Sequence, residues 1–262
     1  MPRPDGTVRY DNRDRVILVS GAANGIGLSI CRAFAESGAL VFGMDVANSV
    51  AAEGIHLIAG DTSDESACAE AVAYVVQQAG ALDVLVNNAA IQPPNSYVRL
   101  DELSAEAWNR MVSVNLSGYT FLAKHAVQVM LRQQSGVIVN MASGQAHRTA
   151  RQVPCYGPIK AANVLQSMQW AVEYARHGIR VVSVSPGAIN TPMVAASLAA
   201  QGGAAELANR HPLGRIGQPG EVAAAVLWLC SSAAGFVTGT DLAVDGGLGA
   251  LGAFADPYDP IG

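Results

Sequence analysis

Tyr156 and Lys160 stand four positions apart in a stretch of helical pattern, with Ser143 a short distance upstream. Residues so spaced share one face of a helix, which places an ammonium group beside a phenol. A free tyrosine has a pKa of about 10 and keeps its proton at neutral pH. A neighbouring positive charge favours the phenolate, and a shift of roughly 3 units corresponds to about 4 kcal/mol of preferential stabilisation. Such a phenolate is a base able to take the proton of an alcohol. An isolated pair of this kind is more often an ordinary helix surface, so the reading depends on what else the chain supplies.

Removing an alcohol proton completes an oxidation only if a hydride acceptor is at hand, and a site for one is written near the start. Ser20, Gly21, Ala22, Ala23, Asn24, Gly25, Ile26 and Gly27 lie between a strand pattern and a helix pattern. Glycines there permit a tight turn and let backbone N–H groups approach a pyrophosphate without Cβ interference. Asp45 closes the second strand pattern, where a ribose-binding carboxylate belongs. It accepts hydrogen bonds from both ribose hydroxyls of NAD and repels the extra phosphate of NADP, and no Arg lies near it in sequence. The expected cofactor is NAD.

With these residues in place the chain resembles the classical short-chain dehydrogenase/reductase family from about Arg15 to Gly247. Its TGxxxGxG pattern appears with Ser20 in place of Thr, and Asp61-Thr62 resembles the adenine-contacting segment after the third strand. Asn87-Asn88-Ala89-Ala90 resembles the family's NNAG with Ala90 for Gly. Asn115 matches its helix asparagine, Ser143 its serine after the fifth strand, and Tyr156 with Lys160 its YxxxK. Pro186-Gly187, Ile189, Thr191 and Pro192 resemble the segment that touches the nicotinamide. The resemblance implies that Tyr156 is the general base and that Ser143 binds the substrate oxygen. It further implies that Asn115 holds a water linking Lys160 to solvent, that Lys160 binds the nicotinamide ribose, and that Gly21, Asn24, Gly25, Ile26, Gly27, Asp45, Asp61, Thr62, Asn88 and Ala89 hold the rest of the cofactor. It also implies a homo-oligomer, a tetramer or dimer, through the region of Glu221 to Ser231 and the strand ending at Asp245-Gly246-Gly247. Val226, Leu227 and Leu229 there read equally as core.

Two residues depart from the family pattern. Pro158 is accommodated if the helix begins just before Tyr156, because first-turn N–H groups are unpaired anyway. Ile159 removes a hydroxyl that would have held the cofactor or a backbone group.

The elements that must position these residues are legible as seven short apolar runs: Val16 to Ser20, Leu40 to Asp45, Ile55 to Ala59, Val84 to Asn87, Val137 to Met141, Ile179 to Ser185 and Leu242 to Val244. Continuous apolar runs separated by helix-length segments imply a parallel, Rossmann-type doubly wound seven-stranded sheet. Helices are expected over Gly25 to Ser37, Glu65 to Gln78, Ala107 to Gln133, Gln166 to Arg176 and Glu221 to Ser231, with Gly38, Gly80 and Gly178 as C-terminal caps. No linker or repeat interrupts the series. The 262 residues are therefore expected to form a single domain, with a core from about 15 to 247 and an irregular tail over 248–262.

Composition narrows the function further. Sixteen Lys plus Arg against 21 Asp plus Glu provide no basic excess for nucleic acid. Cys31, Cys68, Cys155 and Cys230 form no CxxC pair and read as buried thiols, and His56, His125, His147, His177 and His211 have no metal-ligand spacing. Met141-Ala142-Ser143-Gly144-Gln145 is not the GxSxG elbow of a serine hydrolase. The polar opening segment and the lack of a membrane-length apolar run imply a cytosolic setting without membrane contact. Two rival readings stand beside a dehydrogenase: a 3-ketoacyl reductase of the same family, against which Asp45 weighs, and a non-catalytic NAD sensor, against which the Tyr–Lys pair weighs.

The loops point to a polar substrate: a sugar, polyol or hydroxy acid, including an anionic sugar. Gln145, His147, Arg148 and Arg151 follow Ser143, and Gln92, Asn95 and Asn190 come from two other loops expected at the same cleft. Amide side chains both donate to and accept from hydroxyls. An apolar substrate would leave such groups unpaired at roughly 1 to 3 kcal/mol each if buried. The alternative for Arg148 and Arg151 is that they point into solvent.

Overall fold

The computed structural model describes residues 6–47, 53–198 and 202–252. Seven strands, β1 (Val16–Ser20), β2 (Leu40–Asp45), β3 (Ile55–Ala59), β4 (Val84–Asn87), β5 (Gly136–Met141), β6 (Ile179–Pro186) and β7 (Asp241–Val244), lie within one residue of the runs expected from sequence at each end. They form one parallel sheet in the order β3-β2-β1-β4-β5-β6-β7. Every residue of β1, β4 and β5 is buried, which accounts for their lack of polar alternation.

Successive side chains of a strand point to opposite faces, so each strand feeds two cores. Ile17 and Val19 of β1 pack with Ile30 and Phe34 of α1 (Gly25–Glu36) and with Val222, Val226 and Leu229 of α8 (Pro219–Cys230). Leu18 joins the other face, with Val72 and Val75 of α2 (Glu65–Ala79) and Leu122, Ala126 and Met130 of α4 (Gly118–Gln133). Val226, Leu227 and Leu229 thus belong to the chain's own core rather than to a surface for another subunit. All four cysteines are buried, and burial pushes the thiols of Cys31, Cys68 and Cys230 up to about 12.

The helices differ from expectation where pattern gives way to tertiary contact. The run read as Ala107 to Gln133 comprises α3 (Ala105–Val112), a π-helical segment (Ser113–Ser117) and α4. The helix read as Gln166 to Arg176 is the second half of α5 (Tyr156–Tyr174), which starts at Tyr156 with Pro158 in its first turn, as the proline required; a short 3-10 turn then leads to Gly178 at φ +73°. Pro219 opens α8 two residues before the expected start, where Gln218 and Glu221 form a capping box. Two short helices, α6 (Pro192–Ser197) and α7 (Ala204–Asn209), had no counterpart in the reading, being too short to establish a period. Of the tail expected over 248–262, Leu248–Ala250 forms a 3-10 turn and residues 253–262 lie outside the described residues. No described helix is long and apolar enough to cross a membrane.

Strand order reverses between β1 and β4. In open parallel sheets the crevice beyond the carboxyl ends at such a reversal is the place for a ligand.

Candidate active site at the carboxyl edge of the sheet

At that reversal a cleft of about 320 Å³ is lined by Gly21, Asn24, Gly25 and Ile26, by Asp45, Asp61 and Thr62, by Asn88 and Ala89, and by Tyr156, Lys160 and Thr191. The same cleft takes in residues that the sequence had not marked, among them Ile91, Arg110, Val114 and Met193. Gly27, Pro186, Gly187 and Ile189 lie outside this lining. Gly27 is buried beneath the loop, where a Cβ would stand 2.0 Å from the Gly21 carbonyl oxygen. The Gly187 N–H donates to the Val244 carbonyl at 3.1 Å, and Ile189 is packed into the core.

The loop after β1 is held open by its neighbours. Gly21 has φ +67°, and a Cβ there would meet the Ala89 Cα at 2.8 Å. Asn88 Nδ2 donates to the carbonyls of Ser20 and Gly21, both at 3.0 Å, while Ser20 Oγ accepts from the backbone N–H groups of Asn88 and Ala89. The hydroxyl retained by the Thr-to-Ser change therefore ties β1 to β4. No side chain caps the N-terminus of α1, whereas Asp64 caps α2 and Ser104 caps α3. Uncapped first-turn donors on a cleft, with no Cβ in front of them, fit the pyrophosphate of a dinucleotide.

Asp45 accepts from the N–H of Ala23 and that of Ala47, each at 2.9 Å, and so braces the glycine loop from β2. Asp61 is met by Ser63 and by Arg110 of α3, whose Nη2 donates to Oδ2 at 3.0 Å. Burial opposes ionisation of Asp61, but the hydrogen bonds from Ser63 and the Arg110 guanidinium outweigh it and hold the carboxyl below its usual range. Arg110 is thus a cation in the cleft that no proximity along the sequence to Asp45 revealed.

At the other end, Tyr156 opens α5 and Lys160 follows one turn later, its Nζ 5.6 Å from the Tyr156 ring centre. Lys160 is buried, and Nζ donates to the Met141 carbonyl at 2.6 Å and to the Tyr119 hydroxyl at 3.1 Å. Burial pushes Lys160 down to about 7. Tyr156 differs from expectation: burial and the neighbouring Tyr97 push its hydroxyl up to about 12, against a lowering hydrogen bond from Ser143. Burial and Tyr97 thus outweigh the Ser143 hydrogen bond at Tyr156.

The Asn115 amide binds the backbone of Ile91 at both ends, accepting from its N–H and donating to its carbonyl, each at 2.8 Å, and the Asn115 carbonyl accepts from Asn163 Nδ2 at 3.0 Å. This extends a buried polar chain in which Asn87 donates to Asn140, Asn140 to Ser167, and Ser167 to the Asn163 carbonyl. Ile159, at the place of the missing hydroxyl, packs with Met111 and Cys155.

The expected substrate residues divide. Ser143 lies at Tyr156, and Gln92 Nε2 and Gln145 Oε1 are buried without a protein partner. His147 instead meets Asp241 at 2.7 Å, Arg148 donates to the Gly249 carbonyl, Asn190 contacts Gln218, and Arg151 and Asn95 are exposed.

A glycine loop with uncapped helix donors at one end of a cleft, and a Tyr–Lys pair at the other, define a nicotinamide-type oxidoreductase. A sequence profile described as enoyl-(acyl carrier protein) reductase matches residues 21–249. The chain belongs to the short-chain dehydrogenase/reductase family and is an oxidoreductase of that family. It is 39% identical over 252 residues to cis-4-hydroxycyclohexanecarboxylate dehydrogenase of Sinomonas cyclohexanicum, covering 91% of this chain and 98% of the relative. The ligand-free aldohexose dehydrogenase of Thermoplasma acidophilum superposes with a TM-score of 0.88 at 33% identity, over 94% of this chain and 98% of that one. A 3-ketoacyl-(acyl-carrier-protein) reductase from Brucella melitensis, complexed with NADH, superposes with a TM-score of 0.84 at 29% identity, over 90% and 99%. Another neighbour, ElxO, has NADP bound. A nicotinamide cofactor is therefore supported for this fold.

Proposed function

We propose that the chain is a single-domain, NAD-dependent dehydrogenase that interconverts a polar secondary alcohol, or a sugar hemiacetal, with the corresponding carbonyl compound. The observation that carries the reading is one cleft with Asp45 at one end and Tyr156 and Lys160 at the other. Asp45 supports NAD, since its carboxylate repels a 2′-phosphate at the place where the ribose is bound.

Bound NAD supplies the hydride acceptor. Tyr156 takes the hydroxyl proton of the alcohol as phenolate, Ser143 holds the substrate oxygen, and Lys160 binds the nicotinamide ribose while its charge favours the phenolate. Asn115 keeps the Ile91 segment against the cleft through its two hydrogen bonds.

Gln92 and Gln145, with buried amide atoms that lack protein partners, support a hydroxyl-bearing substrate. The dehydrogenases named above act on an alicyclic hydroxy acid and an aldohexose, both ring alcohols. Arg148 is turned to Gly249, so an anionic group on the substrate leaves Arg151 as the loop arginine to test. Turnover of sugars, polyols and alicyclic hydroxy acids, followed as appearance of NADH, tests this reading. Reaction only with hydrophobic alcohols would defeat the substrate assignment, and a preference for NADP would defeat that of the cofactor. The ketoacyl reductase reading draws support from the Brucella neighbour, and reduction of an acetoacetyl thioester in the same panel distinguishes it.

Leu165, Met168 and Val172 form an exposed apolar stripe on α5, which supports a homo-oligomer; the family resemblance makes it a tetramer before a dimer, in the cytoplasm. Sedimentation as a monomer would exclude that assembly.

A further inference from the structure

A buried ammonium is tolerated where its donors are met. Lys160 has three N–H donors, and the protein meets two of them, with the Tyr119 hydroxyl at 3.1 Å and the Met141 carbonyl at 2.6 Å. The third is left for the cleft. Tyr119, on α4, is fully buried; its hydroxyl donates to the same Met141 carbonyl at 3.1 Å, and Lys160 Nζ stands 4.9 Å from its ring centre. The hydroxyl thus accepts from Lys160 and donates to Met141, which fixes its orientation.

The family resemblance gives Asn115 a water that links Lys160 to solvent, and the Asn115 amide is bound to Ile91 while its carbonyl accepts from Asn163; no direct Asn115 contact fixes the ammonium, which Tyr119 meets instead. We propose that Tyr119 is a positioning residue, whose tethered hydroxyl holds the Lys160 ammonium where Tyr156 needs it. The proposal rests on the reading of Tyr156 and Lys160 as the proton-transferring pair.

A covalently held acceptor does not exchange with solvent. Burial alone already pushes Lys160 down to about 7, so loss of one acceptor lowers it further and leaves the amine neutral at neutral pH. The phenolate of Tyr156 then loses its cation. The titratable groups facing the pair are Tyr119 from α4, Tyr156 from α5 and Tyr97 from the loop after β4, and no carboxylate contributes to the shift of Lys160.

Tyr119→Phe removes the oxygen and keeps the ring, and the gap left is smaller than the share of space a water takes. In the NAD-loaded enzyme the acid limb of the kcat profile for alcohol oxidation should move up by about one unit, with turnover at neutral pH about tenfold lower and recovered in alkali. The ultraviolet titration of the phenolate in the NAD complex should move with it, the signal being assigned by its loss in Tyr156→Phe. NAD affinity should stay within about twofold. An acid limb and phenolate titration that superimpose on those of the unaltered enzyme would overturn the proposal. High turnover in Tyr156→Phe would instead overturn the underlying reading of the pair. A measurement without substitution covers a variant that does not fold: the buried Tyr119 hydroxyl proton, followed by NMR, should exchange slowly with water, and rapid exchange would refute the tethered contact.

Discussion

The two ends of the cleft are built by different means. At the adenosine end, Asp45 and Asp61 take hydrogen bonds from residues two positions away, Ala47 and Ser63, as well as from Ala23 and Arg110, and the Asp61–Arg110 pair stands half in solvent. At the reaction end, Lys160 is held by residues 41 and 19 positions distant, and Asn87 meets Asn140 across 53. Short-range turns and an exposed ion pair tolerate local change, since solvent replaces what is lost. The buried end has no such substitute, because a group stripped of its partner there bears its full desolvation cost. Affinity and chemistry are therefore expected to fail separately.

The largest separation should come from Tyr156→Phe, which removes only the ionisable oxygen. Turnover should fall by about 10³-fold while NAD affinity and thermal stability are kept; steady-state kinetics alongside a binding titration reads both, and retained turnover would erase the distinction between the ends. Asn163→Ala cuts the buried polar chain without touching the cofactor loop. A loss of about 1–3 kcal/mol in urea unfolding is expected, and a loss below that range would mean the reaction end is no stiffer than the other.

Smaller effects belong to the adenosine end. Asp45→Ala removes the ribose acceptor and the repulsion of a 2′-phosphate, so the ratio of kcat/KM for NAD over NADP should drop by about tenfold; an unchanged ratio would assign cofactor choice elsewhere, with Arg110, a cation lining the same cleft, the next to test. Arg110→Ala should matter least. Its exposed pair with Asp61 is worth no more than about 1 kcal/mol, so the NAD dissociation constant should rise by less than about fivefold in calorimetry. A larger loss would place Arg110 directly on the cofactor.

The same contrast governs what could be read in advance. The strands and the glycine loop were legible because both express local rules: unbroken apolar runs mark strands covered on two faces, and Gly21 at positive φ marks a turn that side chains oppose. Tyr156, Lys160 and Ser143 were legible through their order along the chain. Tyr119 was not, since a tyrosine within an amphipathic helix reads as core until β5 brings the Met141 carbonyl to its hydroxyl. Arg110 carried only the signature of a helix-surface cation, and its partner Asp61 lies 49 residues away. His147 and Arg148 were expected to face substrate because they follow Ser143; their side chains turn instead to Asp241 and Gly249, contacts made by the far end of the chain.

The π-helical turn at Ser113–Ser117 sets a phase between α3 and α4. Each residue of a regular helix advances the winding by about 100°, and a π turn absorbs one extra residue without breaking the rod. Ahead of it, Met111 meets Cys155 and Ile159; after it, Leu122, Ala126 and Met130 meet the sheet, with Asn115 at the join. The rod thus behaves as two gear wheels keyed to one shaft with a fixed offset. Because the extra residue is taken up inside the key, deleting one residue between Ser113 and Ser117 would close it to a regular turn and leave both sets of teeth in mesh, and the damage would fall on Asn115 at the join.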